Sequence, residues 1–388
     1  MQTFHVGRVP PMTFGPGRLS KVPQIVADLG GGPVLVVADA VLAELGVTDE
    51  LAQSLEAMGI AADMAADVAG EPKEKLVDAL GARAREAGAR VVIAIGGGAA
   101  MDAGKLVAAI AKSGQPAVDF DLAAQPLPKD GLPAIAIPTT AGTGSEVTRT
   151  AVISKSDGSK TWYWGEELMF SHAVLDPELT LSLPSQLTAW TGIDAVAHAL
   201  EGSTSRTTNP VGQLFGLEAL RILKNALPRA VADGADLEAR GEVLWASMVA
   251  GLALHNCNTH MGHNISHALG SLVRIHHGLA TGLALEASLP FLVARPDGAA
   301  NYALAAEALG GNADATALPA ALSDLMRACG VSAELTAACA PVTPAALAAE
   351  MKNAANIGMA RNSACAMSDA DLDRVAELMM NKPIAPAA

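Results

Sequence analysis

The chain has 388 residues, with 26 Lys and Arg against 40 Asp and Glu and a formal charge of −14; 51% of its residues are hydrophobic, 17% charged and 3% aromatic. That apolar content excludes a disordered chain, and that length excludes a small scaffold that depends on disulfides. An acidic chain with no basic run is unsuited to nucleic acid, whose phosphates need a basic face.

The N-terminus, Met1-Gln-Thr-Phe-His-Val-Gly-Arg8, has no apolar core of the signal-peptide type. The four cysteines, Cys257, Cys329, Cys339 and Cys365, form no C-x-x-C pair. Scattered thiols of this kind suit a reducing compartment, so the expectation is a cytoplasmic protein. Three short apolar runs follow, each punctuated by turn residues. Pro33–Ala38 comes after Gly30-Gly31-Gly32, Arg90–Ile95 ends at Gly96-Gly97-Gly98, and Leu132–Ile137 ends at Pro138-Thr139-Thr140. Helical spacing lies between them, over 49–59 and 72–87. Apolar strands separated by helices predict a parallel sheet covered on both faces.

After Leu183-Pro184 the pattern becomes Ala- and Leu-rich, with helices predicted over 186–203, 211–226, 237–256, 301–309 and 370–380. The longest apolar run, Val243–Leu254, is far short of the ~20 residues a membrane span needs, and it reads as a helix buried on all sides. The division expected is an α/β domain over 1–183 and an all-helical domain over 184–388, in line with roughly 100–200 residues per domain.

The glycine run after Ile95 opens a helix at Ala99–Lys105. Glycines let a backbone approach a phosphate, and a helix N-terminus offers free N–H groups and a positive dipole end. It is neither a P-loop nor G-x-G-x-x-G in the usual register, so alone it is equally a tight structural turn. The loop Pro138-Thr-Thr-Ala-Gly-Thr-Gly-Ser-Glu146 also follows a strand and is rich in hydroxyls. Two such loops at successive strand ends point to a nucleotide, because open α/β sheets bind ligands at that edge. Asp39, after the first strand, is placed either to accept bonds from a ribose diol or to cap a turn.

Six of nine histidines (His255, His260, His263, His267, His276 and His277) fall within 23 residues. His263 and His267 are i and i+4, on one face of a helix, and Asp194 and His198 repeat that spacing upstream. Imidazoles with one carboxylate suit Fe, Zn or Ni rather than Mg or Ca. A nucleotide site and such a metal site together fit hydride transfer to or from a polarised carbonyl or alcohol.

The chain resembles the iron-containing (group III) alcohol dehydrogenases. The motifs that carry the resemblance are Phe14-Gly-Pro-Gly17, Gly96-Gly-Gly-Ala-Ala-Met-Asp-Ala-Gly-Lys105, Pro138–Glu146, Asp176-Pro-Glu-Leu-Thr180, Gly192-Ile-Asp-Ala-Val-Ala-His-Ala-Leu-Glu-Gly202, and Gly262-His-Asn-Ile-Ser-His-Ala-Leu-Gly270 through His277-Gly278. The resemblance implies a Rossmann-like N-terminal domain and a helical C-terminal domain, the dehydroquinate synthase-like architecture, with the active site between them. It implies metal ligands at Asp194, His198, His263 and His277, with iron, or else zinc, as the metal. His267 would serve substrate positioning or proton relay. NAD would be held by Asp39 at the ribose, by Gly97, Gly98, Thr139, Thr140 and Thr143 at the pyrophosphate and nicotinamide side, and by Lys160 and Leu179 along the groove. Asp102 would be a structural or cofactor-loop acid. The substrate would be a small alcohol or aldehyde and the enzyme a homodimer.

Three departures stand out. The family usually has Ser at Ala99 and Ala at Gly104. It has Pro where His276 stands, so His276 is a rival ligand, but register with His277-Gly278 favours His277. Many members carry Asn-Pro-Arg near Ser363–Met367. Two further readings remain. One is a lyase or cyclase of the dehydroquinate synthase-like fold. The other is a maleylacetate-reductase-like carbonyl or enone reductase. No cluster of Arg and Lys demands an anionic substrate, though Arg149 and Arg274 are candidates for a carboxylate or phosphonate. Trp162-Tyr163-Trp164 is read first as a packing cluster.

Overall fold

The computed structural model describes residues 3–156 and 159–385. They divide into two compact units. One comprises Arg8–Thr140 and Ser145–Thr180. The other comprises Ala141–Gly144 and the chain from Leu181, with the described residues before Arg8.

The first unit is built on β1 (Met12–Phe14), β2 (Val34–Asp39), β3 (Ala62–Val68), β4 (Val91–Gly96), β5 (Ala134–Pro138) and β8 (His172–Leu175). They form one parallel sheet in the order β1-β8-β5-β4-β2-β3. A small antiparallel pair, β6 (Thr150–Ser154) and β7 (Lys160–Trp164), stands apart from it. The helices are α1 (Val22–Asp28), α2 (Val41–Glu44), α3 (Val47–Ala57), α4 (Glu74–Glu86) and α5 (Gly98–Ile110).

The two-residue period of a strand sorts the sheet's side chains. Leu35, Val37, Val92, Ala94 and Ala136 face a core with Val77 and Leu80 of α4 and Leu106 and Val107 of α5. Val34, Val36, Ile93, Ile95 and Ile137 face a second core with Val22 and Val26 of α1 and Leu51 and Leu55 of α3. Both faces are dry, which is why β2, β4 and β5 read as continuous apolar runs. The α2–α3 connection from β2 to β3 therefore lies on one face, and the α4 and α5 crossovers on the other. The order reverses between β2 and β4, so the ligand-binding crevice of such sheets opens at their carboxyl ends.

Gly104, on the buried face of α5, shows how close that packing is. A Cβ there would come 2.5 Å from Ala94 Cβ on β4. Gly→Ala in a helix interior ordinarily gains about 1 kcal/mol, whereas forcing an extra methyl into a filled core costs about 1–3 kcal/mol. Gly104→Ala is therefore expected to destabilise the protein by about 1 kcal/mol, read as a lower midpoint in urea.

The second unit is helical: α6 (Ser185–Thr204), α7 (Pro210–Ala232), α8 (Leu237–Cys257), α9 (Met261–Leu272), α10 (His277–Val293), α11 (Ala299–Ala308), α12 (Leu318–Ala328), α13 (Pro344–Met351), α14 (Ile357–Arg361) and α15 (Asp369–Met380). Local signals set several starts. Asn209 Oδ1 accepts from Val211 and Gly212 N–H ahead of α7, with Pro210 at its first position, and Ser368 and Asp371 close a capping box on α15. The run 243–254 in α8 is not buried on all sides as expected, because Trp245 is 39% exposed. Among the described residues no helix is long and apolar enough to cross a membrane.

Candidate functional site

In the helical unit, α6 carries Asp194 and His198, α9 carries His263 and His267, and α10 begins at His277. Asp194, His263 and His277 bring one ligand atom each to within 4.8 Å of one another. Asp194 Oδ1 lies 3.7 Å from His263 Nε2 and 3.6 Å from His277 Nε2. His198 Nε2 is 2.9 Å from His263 Nε2, with the two rings stacked. Gly278 permits the approach of α10, since a Cβ there would strike the Trp190 carbonyl oxygen at 2.1 Å. His276 turns the other way and packs on the Trp190 ring, centroids 4.9 Å apart. His277, not His276, thus brings its Nε2 to Asp194. The His267 ring is buried and lies 4.9 Å from that of His277.

Hydrogen bonds behind the rings decide what the nitrogens can do. His198 Nδ1 meets the Gly142 carbonyl at 3.1 Å, and His263 Nδ1 meets the Glu201 carboxylate at 2.6 Å. Both partners only accept, so each Nδ1 carries a hydrogen and each neutral ring points an Nε2 lone pair inward. Two lone pairs 2.9 Å apart, beside a buried Asp194 Oδ1 with no hydrogen-bond partner, require a cation: a proton or a metal ion. Burial pushes His198 down toward the neutral form. Burial also works to lower His263, but the Glu201 and Asp194 carboxylates prevail and raise it. The donor set of imidazoles and one carboxylate fits a divalent transition ion.

Glu201 lies in the Gly192–Gly202 motif, where residue type alone gives it no role. It is fully buried, and although burial alone would raise its carboxyl, His260, His263 and their hydrogen bonds bring it to about 2. The signal was available: Asp194, His198 and Glu201 are i, i+4 and i+7 on one helix face.

In the α/β unit the expected nucleotide residues gather at the β2/β4 reversal. Asp39 Oδ2 accepts the Gly97 N–H at 2.6 Å. Gly97 precedes α5 and Gly98 is its first residue, while the Thr140 side chain lies in contact range of Gly97. Thr139, just after β5, donates its N–H to Gly96 O and is buried. Thr143 falls in the 141–144 segment grouped with the helical unit.

Asp102 accepts from Ser145 Oγ at 2.7 Å and Val152 N at 2.9 Å, tying α5 to the chain beyond the threonine loop. Lys105 adds bonds to Thr148 Oγ1 and Thr150 O. Burial drives Lys105 down to about 8, against the pull of Asp102 and Glu146, and pushes Glu146 up to about 7.

Lys160 and Leu179 are engaged elsewhere. Lys160 Nζ pairs with Glu71 at 2.5 Å, and Leu179 packs against the core beneath α1 and α3. Trp162 and Tyr163 are buried in β7, while Trp164 is exposed. Arg149 pairs with Glu166, and Arg274 is exposed.

The family model described as iron-containing alcohol dehydrogenase matches residues 10–177, and that of the family's C-terminal part matches 188–380. The chain belongs to the iron-containing alcohol dehydrogenase family. It is 37% identical over 293 residues to the probable alcohol dehydrogenase EutG of Escherichia coli K12, covering 75% of this chain and 74% of that protein. It is 34% identical to long-chain-alcohol dehydrogenase 1 of Geobacillus thermodenitrificans over 306 residues, covering 78% and 77%. Among solved structures, sulfoacetaldehyde reductase of Bifidobacterium kashiwanohense in complex with NAD+ superposes with a TM-score of 0.88 at 28% identity, covering 98% of this chain and all of that one. This family member is an alcohol oxidoreductase with an α/β sheet unit and a helical unit.

Proposed function

We propose that the enzyme transfers hydride between NAD and a small alcohol or carbonyl compound, using a divalent metal, iron in the first instance, held by Asp194, His198, His263 and His277. The observation that carries this reading is the pair of inward Nε2 lone pairs beside the unpartnered Asp194 Oδ1. When bound, the metal polarises the alcohol or carbonyl oxygen and the nicotinamide takes or gives the hydride.

The chain's own residues do the rest. The first N–H groups of α5, after Gly97 and Gly98, would hold the pyrophosphate, with Thr139, Thr140 and Thr143 as further donors. Asp39, one of whose oxygens is held by Gly97, would accept from the ribose diol. His267, one turn beyond His263, takes up and releases the substrate proton. Asp102 and Lys105 hold the loops in place. Lys160, paired with Glu71, and Leu179 would line the cofactor groove. The nucleotide domain spans 1–183 and the metal domain 184–388, and the enzyme is a homodimer, as the family resemblance implies. The four buried free cysteines suit the cytoplasm.

Protein purified without oxygen is expected to carry stoichiometric iron or zinc. It is also expected to reduce NAD with some members of a panel of short alcohols, followed at the NADH absorbance. Turnover with no net change in NADH would favour the lyase or cyclase reading instead.

A further inference from the structure

We infer that Glu201 is a positioning residue for the metal centre: it fixes His263 in the Nδ1–H form, so that the His263 Nε2 lone pair faces Asp194 and His198. The inference rests on the proposed metal site and adds a residue that is not itself a ligand.

The carboxylate is fully buried on α6, one turn beyond His198, and it gathers donors from the start of α9. Oε2 accepts from His263 Nδ1 at 2.6 Å and from His260 N at 3.0 Å, and Oε1 accepts from Gly262 N at 2.5 Å. The His260 ring faces Oε1 through Nδ1 at 3.4 Å and Thr204 Oγ1 through Nε2 at 3.0 Å. One anion thus satisfies two N–H groups at a helix N-terminus, which have no partner inside the helix, and orients the ligand one turn along.

A carboxylate behind a metal-binding imidazole raises its basicity and locks its orientation. It also completes the charge count. Asp194 and Glu201, both buried, together carry two negative charges, which match a divalent ion. A neutral amide cannot do the same. Gln offers one acceptor oxygen where three N–H groups converge, and its NH2 would confront at least one of them.

The test compares wild type with Glu201→Gln, using Co2+ as the probe, titrated into metal-free protein and read by calorimetry and by the Co2+ visible bands. Glu201→Gln is expected to weaken Co2+ binding about 10–100-fold and to alter the bands, while circular dichroism stays that of the wild type. A merely structural role would lower the melting temperature and leave affinity and spectrum unchanged, and that result overturns the inference.

A second measurement needs no variant to fold. Nitrogen NMR of the wild-type metal-free protein, at a pH where His263 is neutral, is expected to show its ring as the Nδ1–H tautomer. The Nε2–H tautomer would overturn the inference. Failure of wild type to bind Co2+, Zn2+ or Fe2+ would instead defeat the metal reading, and the tautomer would still decide the role of Glu201.

Discussion

Asp194→Asn is expected to leave the metal-free protein about as stable as wild type while removing most of its metal affinity and nearly all of its activity. The expectation follows from what Asp194 lacks. Its Oδ1 is buried and accepts no hydrogen bond, so the amide forfeits none. Its ring neighbours His263 and His277 stand 3.6–3.7 Å away, too far to pair with it closely. Relieving a buried carboxylate is set against losing its attraction to the His263 ring, so the empty protein keeps about its wild-type stability. The same change takes from a divalent ion its one anionic ligand. A Lewis-acid contribution of several kcal/mol is then lost, so kcat/KM falls by about 10³-fold or more.

His263→Ala is a blunter variant, since it also strips Glu201 of its shortest side-chain partner and costs stability. Urea midpoints, bound metal and kcat/KM measured together separate the cases. An Asp194→Asn protein that retains metal and turnover would remove Asp194 from the ligand set.

This contrast explains what could be read from residue order. The i, i+4 pairs brought Asp194 to His198 and His263 to His267, because helical spacing is a local property. The choice between His276 and His277 was not local: it depends on Trp190 accepting the His276 ring and on Gly278 letting α10 close on α6. The partner of His198 is a backbone carbonyl, Gly142 O, and a carbonyl has no residue type to betray it.

The same division holds in the sheet. β2, β4 and β5 lie inside two dry cores and spell themselves out in Val, Ile and Ala. β3 is an edge strand of sequence ADMAADV with only Ala65 and Val68 buried, and β1 is three residues long. Neither contains enough apolar alternation to be seen without its neighbours. Lys160 was assigned to the cofactor groove through resemblance, and the ion pair with Glu71, far off in sequence, is a tertiary fact.

At Asp39 the geometry separates two substitutions that a ribose role alone would treat alike. If the carboxylate served only the ribose, Asp39→Gly would simply remove the repulsion toward a 2′-phosphate. Asp39 Oδ2 also holds the Gly97 N–H at 2.6 Å, across the point where the strand order reverses. A hydrogen bond to a charged group contributes about 1.5–3 kcal/mol, and Gly at 39 forfeits it at the loop proposed to receive the pyrophosphate. Asp39→Asn keeps an oxygen for Gly97 and discards only the charge.

Both variants are expected to shift the NADP-to-NAD ratio of kcat/KM upward about ten- to a hundredfold, the value of removing a like charge about 6–12 Å away at an effective dielectric near 20. Only Asp39→Gly is expected to lose efficiency with both cofactors and to exchange the Gly97 amide hydrogen faster. Kinetics with each cofactor, beside hydrogen exchange resolved at residues 96–98, check the two roles separately. If Asp39→Gly matches Asp39→Asn in exchange and in NADP turnover, the bond to Gly97 does not organise the loop. If neither variant moves the ratio, Asp39 does not face the ribose, and its place at the end of β2 serves the glycine turn alone.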